Sequence, residues 1–535
     1  MTRKKLAILG AGSSGLVTLK FVLEKLRHLD ISCFEQTSET LGAWGRTYEG
    51  FVSTSTKYTT QFSCYRRYGS EVLARNNEQS DEFFRDNEYG SYLQSFVEDN
   101  QLAEFIYKNH VVEKIKRKEN RWELTMSSEG KGKTELFDYL IICTGLAEKP
   151  KAVKAPVKTL LSLDEKKPIS GKKVVVIGGG ESASDIANRL ASPSLENQVY
   201  LSLKTGVRVS PRYHPIKGVP SDFLRNRLLN SIHEDIRNVI GQKFVEARIK
   251  HREWFEYFFR SKRRKNGQAM ELRDKRKYWD TKLTKRAKGN LFNMFHNKSD
   301  NFLDAVAEGR IEIIGGNVDD NYESYFDFDN ADELQISPDY LVPMIGYQSN
   351  LTEISGGEIR ARDFFLGCLH ADYDNLWLIG FARPIIGNIP TISEMQARYV
   401  VGMIEGRYQR PLDIAVSHSS DRDALGARYP KLNTREMYPV DMIPYCNRLA
   451  KKMGTYPYLT RVKSIRRWIK ISLSPFSTSH YLNEDFDPKF VESQKVYSPF
   501  IITILLLLIK LIDIPYTILS KVCGRGKTKR SAKNG

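Results

Sequence analysis

Leu6-Ala7-Ile8-Leu9-Gly10-Ala11-Gly12-Ser13-Ser14-Gly15-Leu16-Val17 is the stretch on which the fold turns. Its first four apolar residues read as a short buried parallel strand, and Leu16 to Leu23 as an apolar helix. Between them lies G-x-G-x-x-G. Gly10 permits the tight turn, Gly12 lets the backbone approach a pyrophosphate, and Gly15 lets the helix pack closely on the strand. The helix N-terminus presents free N–H groups and a positive dipole end to phosphates. A second apolar run, Ile31-Ser32-Cys33-Phe34, ends at Glu35, where a carboxylate can accept hydrogen bonds from ribose hydroxyls. That acid favours a bare ribose, as in FAD or NAD, over a 2′-phosphate.

The pattern returns at Lys172-Lys173-Val174-Val175-Val176-Ile177, followed by Gly178-Gly179-Gly180-Glu181-Ser182-Ala183, the G-x-G-x-x-A form of the fingerprint. Gly178, Gly180 and Ala183 are its cradle residues. The next strand, Val199 to Leu203, ends in Lys204 rather than an acid, with Arg208 and Arg212 shortly after. A cation there pairs with a ribose 2′-phosphate, and a solvent-facing lysine is the competing reading. One site suits a bare ribose and the other a phosphorylated one. FAD plus NADPH is the economical pairing, with hydride passing from nicotinamide to flavin.

The chain has 535 residues and a formal net charge of +18, which suggests two to four domains. Six cysteines lie far apart with no C-x-x-C, which excludes a dithiol centre of that kind and paired-cysteine zinc sites; no metal site is expected. Only four apolar residues, Leu6 to Leu9, precede the first glycine, short of a secretory signal's apolar core. The charge is concentrated. Residues 221–290 carry 20 Lys+Arg against 9 Asp+Glu and read as long helices, for example Asp235 to Arg260. Trp254, Phe255, Tyr257, Phe258 and Phe259 precede Lys262-Arg263-Arg264-Lys265, a combination suited to an anionic membrane interface. Solvated helices covering the second domain explain the same residues, and no nucleic-acid-binding module surrounds them. Phe500 to Ile509 is an uninterrupted apolar run of ten, interrupted next by Lys510 and Asp513; residues 521–535 hold six Lys+Arg and no acid. That run is short of a span, so a monotopic segment with both ends cytosolic is expected rather than a crossing helix.

These residues together resemble the flavin-containing monooxygenases. Besides the two fingerprints, Leu41-Gly42-Ala43-Trp44, Asp138 to Gly145, Lys204-Thr205-Gly206 with Arg212, and Leu376-Trp377-Leu378-Ile379-Gly380 with Pro384, Gly387, Pro390, Glu394 and Gln396-Ala397-Arg398 carry the likeness. The resemblance implies FAD at Gly10, Gly12, Gly15, Glu35, Trp44, Val112, Thr144 and Gly145, and NADPH at Gly178, Gly180, Ala183, Lys204 and Arg212. It implies oxygenation of a soft nitrogen or sulfur nucleophile through a flavin C4a-hydroperoxide, with O₂ and a small lipophilic substrate as partners. Three departures stand out. Residues 151–170 hold neither the glycine nor the histidine of the family's F-x-G-x-x-x-H segment, Ile345 replaces a family threonine, and Thr54 falls where the family carries asparagine beside the flavin. Thr54 is therefore the candidate catalytic donor, with one hydroxyl in place of an amide. A flavin oxidase or reductase, or a membrane-bound sensor that does not turn over, competes with the monooxygenase reading.

The expected architecture is α/β: two Rossmann-like dinucleotide-binding domains, the NADPH domain inserted in the FAD domain, plus a helical C-terminal membrane segment. The boundaries are 1–150 and 335–440 for the FAD domain, 151–334 for the NADPH domain, and 441–535 for an extension with its apolar segment at 499–520. A membrane-associated protein with its catalytic body in the cytosol, at the endoplasmic reticulum if eukaryotic, is the expected localisation.

Overall fold

The computed structural model describes residues 3–513 apart from 48–49, 73–80, 148, 161–167, 215–217, 251–266, 288–293, 300, 331, 431, 435, 499–502 and 512. The opening stretch folds as its pattern requires: strand β1 (Lys5–Leu9), helix α1 (Ser13–Lys25), then β2 (Asp30–Phe34). A two-stranded pairing contains β3 (Val52–Thr56), and β4 (Tyr139–Ile142) comes back beside β1. β1 lies parallel between β2 and β4, with Ile8 opposite both Cys33 and Ile141. Strands buried on both faces need apolar residues at every position, which is why these runs do not alternate.

The chain then builds a second parallel sheet from β5 (Lys173–Ile177), helix α2 (Glu181–Leu190), β6 (Gln198–Ser202), Ile311–Ile314 and β7 (Tyr340–Pro343). β7 pairs with β5, Val176 facing Val342. The second sheet therefore runs past the boundary expected at 334, because the apolar run Leu341-Val342 fills the slot beside β5. The chain returns to the first sheet with β8 (Leu376–Leu378), parallel to β4, and helix α3 (Ile389–Ile404) lies against α1. There the Ser14 and Ser393 hydroxyls meet at 2.8 Å.

Residues 441–498, expected from sequence as part of a C-terminal extension, pack into the first domain. The helix Met442–Met453 buries Met442, Ile443, Cys446, Leu449, Ala450 and Met453, a helical spacing of apolar residues. Glu394, fully buried on α3, accepts from the Ser63 amide at 3.0 Å, from the Ser63 hydroxyl, and from Thr478 at 2.7 Å, and pairs with Arg398. The segment is thus part of the FAD domain's core rather than an appendage to it.

In the basic insert, helices span Glu234–Lys250 and Gly267–Arg286. The aromatic and basic cluster at 254–265 lies outside the described residues. Among the described residues no helix is long and apolar enough to cross a membrane. Within the expected apolar segment residues 503–511 are helical, and Lys510 and Asp513 pair at 2.6 Å. Asp513 is fully buried and accepts the His233 amide at 2.7 Å, at the start of the helix Glu234–Lys250. The two charges that interrupt the apolar run are held by the protein body.

Candidate functional site

The C-terminal ends of β1 and β2, with Glu181 at the start of α2, meet at one cavity of about 600 Å³. Gly10, Gly12, Glu35, Trp44, Thr54, Val112, Thr144 and Gly145 all line it. Gly15 does not; its role is packing, since a Cβ there would sit 1.8 Å from the Gly10 carbonyl oxygen. Gly10 has φ +92° and the Cys143 carbonyl pressed against it, so both its conformation and its space demand glycine. Glu35 is buried. Its carboxylate accepts from the Ala11 amide at 2.8 Å and from the Thr37 amide and hydroxyl at 2.9 and 2.8 Å. With about four lone-pair positions it keeps capacity for ribose hydroxyls. The Trp44 indole lies tilted against the Tyr89 ring, centroids 4.4 Å apart, and forms one wall.

Two hydroxyls on this wall, Thr60 Oγ1 and Thr144 Oγ1, are buried with no hydrogen-bond partner among the described residues. A buried hydroxyl left unpaired costs about 1–3 kcal/mol, so a polar ligand edge is the fitting occupant. The cavity therefore suits a flavin dinucleotide: a pyrophosphate cradle at α1, a ribose acceptor at Glu35, and unspent donors for the polar edge of a ring system.

The second cradle reaches this cavity only through Glu181; Gly178, Gly180, Ala183 and Lys204 do not line it. Gly178 has φ +132° and would drive a Cβ to 2.4 Å from the Met344 carbonyl oxygen, so the residue just before Ile345 is what closes this turn. Gly180, the N-cap of α2, has nothing near its Cβ position, and this is the open side where phosphates would approach. Ala183 is fully buried beneath it. Lys204 is exposed just past the end of β6, beside Gly316.

Arg212 is placed otherwise. It is buried, donating from Nε to the Ser53 carbonyl at 3.0 Å and from Nη2 to the Val52 carbonyl at 2.8 Å, with Asp185 at 3.8 Å. Its sequence position beyond β6 suggested a phosphate ligand; burial makes it a strut from the second domain to β3. Lys298 does a parallel job. It is buried, donates to the Thr54 carbonyl at 2.5 Å, and pairs with Asp222 at 2.6 Å. Asp222 in turn accepts from the Thr56 amide at 3.1 Å and the Thr59 hydroxyl at 3.3 Å. Burial works against ionisation of Asp222, but Lys298 and Arg225 prevail and hold its carboxyl below the usual range. No motif announces Lys298 or Asp222, because their partners are 76 and more residues away.

Glu181, first residue of α2, lines the cavity. Burial pushes its carboxyl up to about 7, against the pull of Lys298 and Arg212, while Asp185 adds to the rise. Arg383 lines the same cavity with its guanidinium 4.5 Å from the Phe295 ring centroid, and burial lowers its pKa against the opposing field of Glu181. Asn388 caps α3, accepting the Thr391 amide at 2.9 Å, and with Ile389 and Pro390 it brings that helix's N-terminus to the cavity. An Asn followed closely by Pro ahead of an apolar helix is a legible start signal in the sequence.

A family model described as flavin-binding monooxygenase-like matches residues 3–314. A 4-hydroxybenzoate brominase (decarboxylating) of Pseudoalteromonas luteoviolacea is 24% identical over 76% of this chain and 75% of its own. Flavin-containing monooxygenase 5 of Homo sapiens is 24% identical over 90% of this chain and 89% of its own. Among solved structures, cyclohexanone monooxygenase from Rhodococcus sp. Phi1 bound to NADP⁺ superposes with a TM-score of 0.56 at 15% identity, over 85% of this chain and 98% of that one. S-allyl-L-cysteine S-oxygenase from Allium sativum superposes with 0.53 at 15% identity, over 85% and 89%. These structures share the fold, and the matched model names its lineage: the chain belongs to the flavin-binding monooxygenase-like family.

Proposed function

We propose that this chain is an NADPH- and O₂-dependent monooxygenase that oxygenates a soft nitrogen or sulfur centre of a small organic substrate. The cofactors are FAD and NADPH. The observation that carries the reading is one cavity lined by Gly10, Gly12 and Glu35 of the first cradle and by Glu181, which follows the second cradle at the head of α2. FAD, when bound, supplies two-electron transfer and oxygen activation. The chain's own residues bind, orient and exclude water. Gly12 in the cavity and Gly180 at the open N-cap of α2 admit phosphates to two helix N-termini, Glu35 holds a ribose, and Trp44 and Phe295 screen the cavity from water. Thr54 is assigned as the donor that steadies the transferable oxygen, its backbone fixed by Lys298.

The overall balance is substrate, O₂, NADPH and H⁺ giving oxygenated substrate, NADP⁺ and water. The test is FAD-loaded protein mixed with NADPH, O₂ and an alkyl aryl sulfide, following NADPH oxidation, sulfoxide and H₂O₂ together. Sulfoxide in step with NADPH supports the proposal. Stoichiometric H₂O₂ without product identifies an oxidase, and no NADPH oxidation ends both enzymatic readings. A second reading, halogenation of a phenolic acid, draws on the likeness to 4-hydroxybenzoate brominases; bromide in the same assay with 4-hydroxybenzoate would reveal it as a brominated phenol.

We also place the protein at a membrane surface, held by interfacial contact. Ile504, Leu505, Leu507, Leu508 and Leu511 are exposed on the 503–511 helix. Ile465, Trp468 and Ile469 are exposed on the basic helix Ile465–Leu473. Apolar side chains among Lys and Arg suit a headgroup layer.

A further inference from the structure

Beside the flavin cavity, and sharing Ser55, Gly387 and Asn388 with it, lies a side pocket of about 70 Å³. Leu229, Ile386, Met442, Ile443 and Phe476 give it an apolar body. Three charged residues also line it: Asp222, Arg225 and Asp441. Both acids are already neutralised. Asp222 is paired with Lys298 at 2.6 Å, and Asp441 with Arg237 at 2.8 Å in a fully buried bridge. Arg225 is different. Its backbone is pinned at both ends, the amide donating to the Asp222 carbonyl at 3.1 Å and the carbonyl accepting the Phe476 amide at 3.1 Å. Its half-buried guanidinium makes no hydrogen bond to any described residue. Two acids and three cations leave the pocket with one unspent positive charge, on a planar five-donor group whose natural partner is a carboxylate.

We infer that this pocket is a carboxylate subsite, and that the substrate is an apolar, preferably aromatic acid. Arg225 receives its carboxylate while its reacting end reaches past Asn388 into the flavin cavity. The inference rests on the monooxygenase reading for the identity of the reacting end, but the anion subsite does not. The pocket has room for a small polar head, and its apolar body suits a ring rather than a second charge. A neutral substrate would give the Arg225 guanidinium no charged hydrogen-bond acceptor and gain only area.

The experiment uses the FAD-loaded full chain and two isosteric probes, 4-(methylsulfanyl)benzoate and 4-(methylsulfanyl)benzamide. Binding is followed by perturbation of the flavin absorbance without NADPH. The acid should bind at least tenfold more tightly than the amide. Arg225→Met should weaken the acid by about 10- to 100-fold, the range of a charge-assisted bidentate contact, while leaving the amide within threefold. Arg225→Lys should recover part of the loss. Should Arg225→Met not fold, the acid–amide comparison in the unmodified protein and the Lys variant still decide the matter. Equal binding of the two probes, or equal weakening of both by Arg225→Met, overturns the subsite. Adding NADPH and O₂ separates the two ideas. Acid-selective binding with no sulfoxide keeps the subsite and removes the monooxygenase reading; sulfoxide from both probes without preference does the reverse.

Discussion

Replacing Glu181 by glutamine tests the electrostatics of the cavity without changing its shape. The carboxyl is raised from 4.5 to about 7, with burial the largest cause, and it faces Lys298, Arg212, Asp185 and Arg383. The folded protein therefore keeps this proton over a pH range in which the unfolded chain has released it. Stability from this group falls as pH rises from about 4.5 to 7 and stays reduced above that. The full displacement is worth about 3 kcal/mol. Because the side chain looks into an open cavity where solvent screens it, about 1.5 kcal/mol is the working figure. At pH 5, near the foot of that window, the folded carboxyl is still protonated and the Gln variant should be ahead by only about 0.4 kcal/mol. At pH 8 the Gln variant should be ahead by about 1.5 kcal/mol. The assay is urea unfolding of the FAD-saturated protein, read by far-UV circular dichroism and tryptophan fluorescence at both pH values. A gap between the proteins that is the same at pH 5 and pH 8, or a variant less stable at pH 8, would refute the reasoning.

Lys298→Met should cost about 3–5 kcal/mol in the same unfolding assay, since it strands Asp222 as a buried charge; the double variant Lys298→Met with Asp222→Asn should recover much of it. Gly180→Ala should fold and retain FAD, because its Cβ meets nothing, yet raise the Kd for NADP⁺ about tenfold by filling the phosphate approach; Gly15→Ala, colliding with the Gly10 carbonyl at 1.8 Å, should lose FAD altogether, as flavin absorbance after gel filtration would show. Changing Leu505, Leu507, Leu508 and Leu511 to serine should abolish flotation with anionic vesicles while leaving flavin content unchanged; undiminished flotation removes the membrane proposal.

Much of this arrangement could be read in the chain, and the limit has a physical cause. Gly10, Gly12, Gly15 and Glu35 are legible because the strand, turn and helix that use them lie within about 30 consecutive residues. The same holds for Gly178 to Ala183. Arg212 is where local reading misleads: its neighbourhood resembles a phosphate motif, but its partners are the carbonyls of Val52 and Ser53, about 160 residues earlier. Lys298, Asp222 and Arg225 are invisible for the same reason, since an isolated cation in a basic chain carries no pattern. The boundary at 334 fails because Tyr340–Pro343 reads equally well as a strand of either sheet, and only pairing decides. The helix Met442–Met453 has a clear apolar stripe, but Pro439 just before it and Pro444 within its first turn obscure it.

Arg212 and Lys298 have a consequence for how the enzyme turns over. Together they place three charge-assisted hydrogen bonds on the carbonyls of Val52, Ser53 and Thr54, the very strand that walls the flavin cavity. Swinging the NADPH domain away would break all three at about 1.5–3 kcal/mol each, leaving an open form populated at roughly one in a thousand or less. The distance between the two dinucleotide cradles is thus set by three backbone carbonyls of a single strand.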